Sequence, residues 1–168
     1  AEAGARVTLV TGPVFLPTPD RVQRIDVVSA RDMLAACEAA MPCDILVAAA
    51  AVADYRPEVV APHKLKKDPS TGDGLLLQMV RNPDILATLS KPGDARPTLV
   101  VGFAAETEAV LEHATAKRKR KGCDWILAND VSEGTGTFGG DRNRIHFIDA
   151  DGHEDWPEAT KTEVAKNL

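Results

Sequence analysis

The chain has 168 residues, a net charge of −5 and 44% hydrophobic content, enough apolar material for one domain with its own core. The acidic balance, and an aromatic content of 4% without aromatic–basic interleaving, exclude a general nucleic-acid binder and a base-stacking surface. The N-terminus has no leader pattern, no apolar run reaches about 18 residues, and the three cysteines form no metal-ligand spacing, so the expectation is a cytoplasmic domain with free thiols and no membrane contact.

Ala1–Ala5 reads as the last turn of a helix with its terminal glycine, entering a strand at Arg6–Val10. A parallel sheet entered this way has a strand before that helix. The expectation is therefore a fragment, or a chain lacking its first strand–loop–helix unit. A proline-bearing loop, Thr11–Asp20, leads to a short strand around Val22–Val28. Ser29 caps a helix over Ala30–Met41, with Met33, Leu34, Cys37, Ala40 and Met41 on one face. The apolar run Ile45–Ala50 has the pattern of a strand buried on both faces.

A polar loop, Ala53–Pro62, follows. Lys64–Lys67 and Leu75–Val80, separated by a turn rich in Asp, Pro and Gly, read as a protruding hairpin flap. Asn82-Pro83-Asp84 opens a helix through Leu89, with Pro83 at its first position. Thr98–Val101 is the next buried strand. Thr107 caps a helix over Glu108–Lys121, which Gly122 ends. Trp125–Ala128 is a strand, Arg144–Asp149 and Glu154–Trp156 make a closing hairpin, and Thr160–Leu168 starts a last helix.

Alternating strands and helices predict an α/β fold with a doubly wound, mostly parallel, Rossmann-like sheet. Ligands bind such sheets outside the carboxyl ends of the strands. The loops expected there are Ala51–Arg56, Phe103–Glu106 and Asn129–Val131. Lysines stand out against this frame. Lys117 and Lys121 continue the apolar stripe of Val110 and Ala114 at helical spacing, and Lys64 opens the basic run Lys64-Leu65-Lys66-Lys67. Two readings stay open: a polyanion site for a nucleoside triphosphate, or a solvated helix end in a favourable dipole field.

No glycine triad follows the first strand and no GxxxxGK[ST] occurs, so a dinucleotide fingerprint and a P-loop are both absent. The glycine-rich Gly134–Gly140 reads as a mobile loop, or a closing one. Asp54 is a candidate magnesium ligand or hydroxyl acceptor, or simply a turn residue. Asn82 and Asp84 start a helix, a geometry that also offers N–H groups to a phosphate. The histidines are scattered, and Cys123 precedes a buried strand as a packing residue.

Five blocks together resemble the phosphopantothenate–cysteine ligase family. They are Ala50–Pro57, Lys64–Lys67, Asn82–Ile85, Gly102–Thr107, and Lys117 through Val131 with Lys121, Asp124 and Asn129-Asp130. The resemblance implies a single nucleotide-binding ligase domain over residues 1–168. It implies activation of 4′-phosphopantothenate by CTP, with pyrophosphate released, and displacement of CMP from the acyl-cytidylate by the amine of cysteine. It places Ala48, Ala49, Ala50, Asp54, Lys64, Asn82, Pro83, Asp84, Ile85, Phe103, Lys117 and Lys121 at the nucleotide. Lys64, on the flap, is the implied catalytic residue. Magnesium is the implied ion, with Asp54 as ligand, and a homodimer is the implied assembly. FMN would belong to a fused decarboxylase half outside this sequence. The family's earlier asparagine loop and its Ser-Ser-Gly-Lys-Met-Gly-like segment do not occur here. The alternatives are a nicotinamide-dependent oxidoreductase domain and a non-catalytic nucleotide-binding or dimerisation module. Titration with CTP, ATP and NAD separates the three.

Overall fold

The structure, a computed structural model, describes residues 1–66, 74–132 and 140–168. Lys67, the end of the expected first arm of the hairpin, all but the last residue of its expected turn at 68–74, and all but the last residue of the Gly134–Gly140 loop lie outside the described residues. The first elements along the chain are β1 (Val7–Thr11), β2 (Val22–Asp26), α1 (Ala30–Ala39), β3 (Ile45–Ala48), β4 (Tyr55–Pro57), β5 (Met79–Arg81) and α2 (Ile85–Leu89). Then come β6 (Leu99–Glu106), α3 (Val110–Lys121), β7 (Trp125–Asp130), β8 (Arg142–Asn143), β9 (His146–Ile148), β10 (His153–Asp155), β11 (Ala159–Thr160) and α4 (Lys161–Asn167). They organise into two units, Ala1–Ala36 with Ala51–Asp84, and Cys37–Ala50 with Ile85–Leu168.

In the first unit, β1 and β2 pair in parallel, from Val7 opposite Val22 to Thr11 opposite Asp26. The proline-bearing loop between them cannot supply a regular ladder, because proline lacks an N–H. Arg24 holds it instead, donating to the carbonyls of Leu16 (2.8 Å) and Val14 (3.1 Å) and to Asp26 (2.8 Å). Ser29 caps α1 as expected. Its hydroxyl accepts from the Asp32 N–H at 3.2 Å while the Asp32 carboxylate accepts from the Ser29 N–H at 3.1 Å. That reciprocal box satisfies two otherwise orphan donors.

The hairpin differs from expectation. Its paired arms are β4 and β5, with Tyr55 opposite Arg81 and Pro57 opposite Met79; Lys64–Lys66 is irregular and exposed. A run of lysines has low strand propensity and no face to bury, whereas Tyr55 and Val80 suit a pleated surface.

In the second unit a mixed sheet takes the order β10-β9-β7-β6-β3. β3, β6 and β7 run parallel, and β9 and β10 antiparallel. Alternate residues of β6 enter two cores. Val100 and Ala104 join Ala114, Cys123, Ile126, Ala128 and Ile148 on one face; Val101 joins Leu127, Ile145 and Val164 on the other. Phe147 meets Trp125 edge-on at 5.2 Å and stacks on Trp156 at 5.6 Å. Such ring pairs add about 0.5–1.5 kcal/mol each beyond their buried area.

Three expectations are corrected here. β6 continues through Phe103 to Glu106, and β7 through Asn129 to Asp130, so neither Phe103–Glu106 nor Asn129-Asp130 is a loop. The Gly-Phe-Ala-Ala-Glu stretch has no turn residue beyond Gly102, and that glycine is packed rather than turning. α3 is not capped by Thr107: its N-cap is Ala109, in the left-handed region at φ 44°, with no side-chain cap. β3 is not buried on both faces. Leu46 packs on the core while Ile45 and Val47 are exposed, as suits the strand at the end of the order. The C-terminal end of α3 is as expected, with Gly122 at φ 72° donating to the Arg118 carbonyl.

Candidate functional site

Two sets of expected nucleotide residues are ordered locally, one in each unit. In the first, the turn Ala53–Tyr55 is closed against Asn82. The Asn82 N–H donates to the Asp54 carbonyl at 2.8 Å, and Asn82 Nδ2 donates to the Ala53 carbonyl at 2.8 Å. From β4, Arg56 Nη1 donates to the Arg81 carbonyl and to Asn82 Oδ1, the latter at 3.4 Å. Asp54 and Asp84 are exposed, Asn82 and Pro83 half-buried. Asn82, Pro83 and Asp84 precede α2 instead of forming its first turn. Lys64 is exposed in the irregular segment after β4.

In the second unit, Ala48 ends β3 opposite Gly102, one residue before Phe103. Ala49 and Ala50 continue from it, exposed. Phe103 is half-buried and packs against the cluster of Val101, Leu127, Ile145 and Val164. Ile85 opens α2 and is half-buried. On α3, Lys117 and Lys121 are half-buried while Lys119 and Arg120 are exposed. The expected stripe of Val110, Ala114, Lys117 and Lys121 is therefore a real helix face.

The end of α3 is held by a hub whose partners lie far apart along the chain. Arg118 Nε donates to the Asp124 carbonyl at 2.7 Å. The Asp124 carboxylate accepts from the Val100 N–H at 2.7 Å and from Arg96 at 3.0 Å. Arg96 also donates to the carbonyls of Ser90, Pro97 and Gly122. Separations of 28 and 24 residues leave no local signal for this hub. Only an arginine beside a proline and an aspartate before a strand hint at it.

At the carboxyl ends of β6 and β7, Glu106 lies opposite Asp130, and His113 approaches Glu106 at 3.6 Å. Hydrogen bonds from Ser132 hold the Asp130 carboxyl below its ordinary value. On β9 and β10, His146 Nδ1 lies 2.6 Å from Asp155; that hydrogen bond lowers the Asp155 carboxyl. Burial raises the thiols of Cys37, Cys43 and Cys123. A raised thiol is a poor nucleophile at neutral pH, in keeping with Cys123 as a packing residue.

Among the described residues, no group of three or more His, Cys, Asp or Glu side chains could hold a metal ion. Asp54 offers one exposed carboxylate. A single exposed carboxylate does not make a site for a resident ion held by protein alone. No described helix is long and apolar enough to cross a membrane.

The chain is 51% identical over 158 residues to the coenzyme A biosynthesis bifunctional protein CoaBC of Escherichia coli K12, covering 94% of this chain and 39% of that protein. It is 43% identical to the CoaBC protein of Haemophilus influenzae, covering 100% and 41%. The chain thus spans about two-fifths of the length of these curated relatives. A crystal structure of the C-terminal domain of a CoaBC protein is similar at a TM-score of 0.75 and 35% identity, over 99% of this chain and 72% of that one. The profile of one family matches residues 1–168 throughout, and the chain belongs to that family, the DNA/pantothenate metabolism flavoprotein C-terminal domain.

Proposed function

We propose that this chain is the ligase part of a coenzyme A biosynthesis protein, joining 4′-phosphopantothenate to cysteine at the expense of CTP. The observation that carries the reading is the family match over residues 1–168, with 51% identity to a coenzyme A biosynthesis bifunctional protein. On this reading the whole chain works as one nucleotide-binding domain, with a doubly wound sheet and the β4–β5 hairpin as its flap. A fused decarboxylase half carries FMN, the assembly is a homodimer, and the reaction runs in the cytoplasm.

A carboxylate is a poor acyl donor until it carries a leaving group. The phosphopantothenate carboxylate oxygen attacks the α-phosphorus of CTP, the bond to the β-phosphate breaks, and pyrophosphate leaves. The cysteine amine then attacks the acyl carbon, the acyl–oxygen bond breaks, and CMP departs with the electron pair while the amine proton is lost. Transfer at phosphorus is mainly a matter of positioning and charge neutralisation. Lys117 and Lys121, on a helix, supply fixed positive charge to the phosphates, and Lys64 adds charge as the transition state develops. Asp54 would hold magnesium, which supplies further neutralisation when bound. The remaining nucleotide contacts are Ala48, Ala49, Ala50, Asn82, Pro83, Asp84, Ile85 and Phe103.

The test uses the full bifunctional protein with 4′-phosphopantothenate, cysteine and either CTP or ATP, following the amide product by mass spectrometry and pyrophosphate by a coupled assay. CTP-dependent amide with equimolar pyrophosphate is expected. Absence of amide with both nucleotides would overturn the reading.

A further inference from the structure

Arg56 is absent from the set of nucleotide residues, yet it sits at the centre of the first-unit turn. Its Nη1 donates to the Arg81 carbonyl and to Asn82 Oδ1. A guanidinium can only donate and a carbonyl can only accept, which fixes the amide of Asn82 in one sense. Oδ1 faces Arg56, and Nδ2 faces the Ala53 carbonyl at 2.8 Å. One residue along, the Asp54 carbonyl accepts the Asn82 N–H at 2.8 Å. Ala53 and Asp54, just before β4, and Arg56 within it are thereby tied to the residue that follows β5.

Tyr55 lies opposite Arg81 at the same end of the strand pair. The Asn82 side chain is thus committed to holding the turn, and Arg56 decides which way it holds. Without the guanidinium, the amide loses the partner that orients it. Nδ2 can then rotate away from Ala53, leaving the turn held only by the Asn82 N–H on the Asp54 carbonyl. We infer that Arg56 is a positioning residue for nucleotide binding: by fixing the Asn82 amide, it sets the geometry in which Asp54 and the Asn82–Asp84 backbone meet the nucleotide phosphates. The inference rests on the ligase reading above.

The experiment measures steady-state kinetics of the full bifunctional protein with CTP and cysteine varied separately. Arg56→Met matches the stem without donors, and Arg56→Lys restores a charged donor. Arg56→Met should raise the KM for CTP about tenfold or more, as expected when a binding group is displaced by a fraction of an ångström. The KM for cysteine should stay near the parent value, and Arg56→Lys should return the KM for CTP toward the parent. A role in folding alone would lower the amount of active protein and scale kcat without moving the KM for CTP; that result overturns the inference. Should Arg56→Met not fold, Asn82→Asp carries the test. It keeps an acceptor for Arg56 but sets an oxygen against the Ala53 carbonyl, and an unchanged KM for CTP there also overturns the inference. A parent protein that makes no amide with CTP refutes the ligase reading itself. A parent that does, with variants unchanged in KM, refutes only the role of Arg56.

Discussion

Gly102 lies within β6, opposite Ala48 of β3 and Ile126 of β7, and its replacement by alanine tests the packing of the second unit directly. A Cβ there would stand 2.7 Å from Leu86 Cδ2, 2.8 Å from Ile126 Cδ1 and 3.5 Å from Cys123 Sγ. Carbon atoms settle at about 3.5–4.0 Å, so each methyl must retreat by roughly 0.7–1.3 Å. Leu86 packs on the same cluster but is only half-buried, whereas Ile126 is fully buried, and a close-packed interior gives its methyl little room to move. Overpacking of this kind costs about 1–3 kcal/mol. Alanine returns about 0.4–1 kcal/mol by narrowing the unfolded ensemble. The expected net destabilisation is about 1–2 kcal/mol, read in urea unfolding as a lower midpoint with an unchanged slope. Ile126→Val removes one of the two obstructing methyls and alone costs about 0.5–1.5 kcal/mol. Combined with Gly102→Ala it should cost at least about 0.5 kcal/mol less than the sum, since the two changes share one space. A strictly additive cycle, or a single mutant as stable as the parent, would show that the contact is not what requires glycine.

Asp124→Ala strips the Val100 N–H and Arg96 of their acceptor and should cost about 2–3 kcal/mol in urea unfolding, the half-exposed setting keeping it below a fully buried pair. Ala109→Gly relieves a left-handed alanine at the start of α3 and should stabilise by about 0.5–1 kcal/mol, seen as a raised thermal midpoint. Lys64→Ala should slow pyrophosphate release with little change in CTP affinity, whereas Lys117→Ala should weaken CTP binding by about ten- to a hundredfold in calorimetric titration. Asp32, Asp130, Asp155 and Glu163 are held below their ordinary values by hydrogen bonds from Ser29, Ser132, His146 and Thr160 respectively. A depressed folded value means that each contribution is full above the unfolded carboxylate range and disappears as pH falls through the folded one. Unfolding free energy should therefore decline from about pH 5 downward, with a shallower decline in Glu163→Gln.

The sequence by itself determined whatever depends on neighbours a few residues apart. Ser29 before Asp32, Gly122 after a basic last turn, and the lysines continuing the Val110–Ala114 stripe are local patterns, and helix geometry alone converts them into a cap, a stop and a face. Family membership was legible for a similar reason, because blocks in fixed order survive without any knowledge of their contacts. The tertiary structure decided what depends on partners far along the chain. Nothing local separates Phe103–Glu106 from a loop; ladder hydrogen bonds to β7 make it strand. The order of Lys64–Lys66 and Leu75–Val80 around a turn suggests a hairpin arm, but pairing falls to Tyr55–Pro57, where side chains gain from a pleated neighbour. Arg56 with Asn82, and Arg96 with Asp124, are joined across 26 and 28 residues. A charged side chain's role is set by which acceptor the fold brings within reach, and that distance is a property of the folded chain alone.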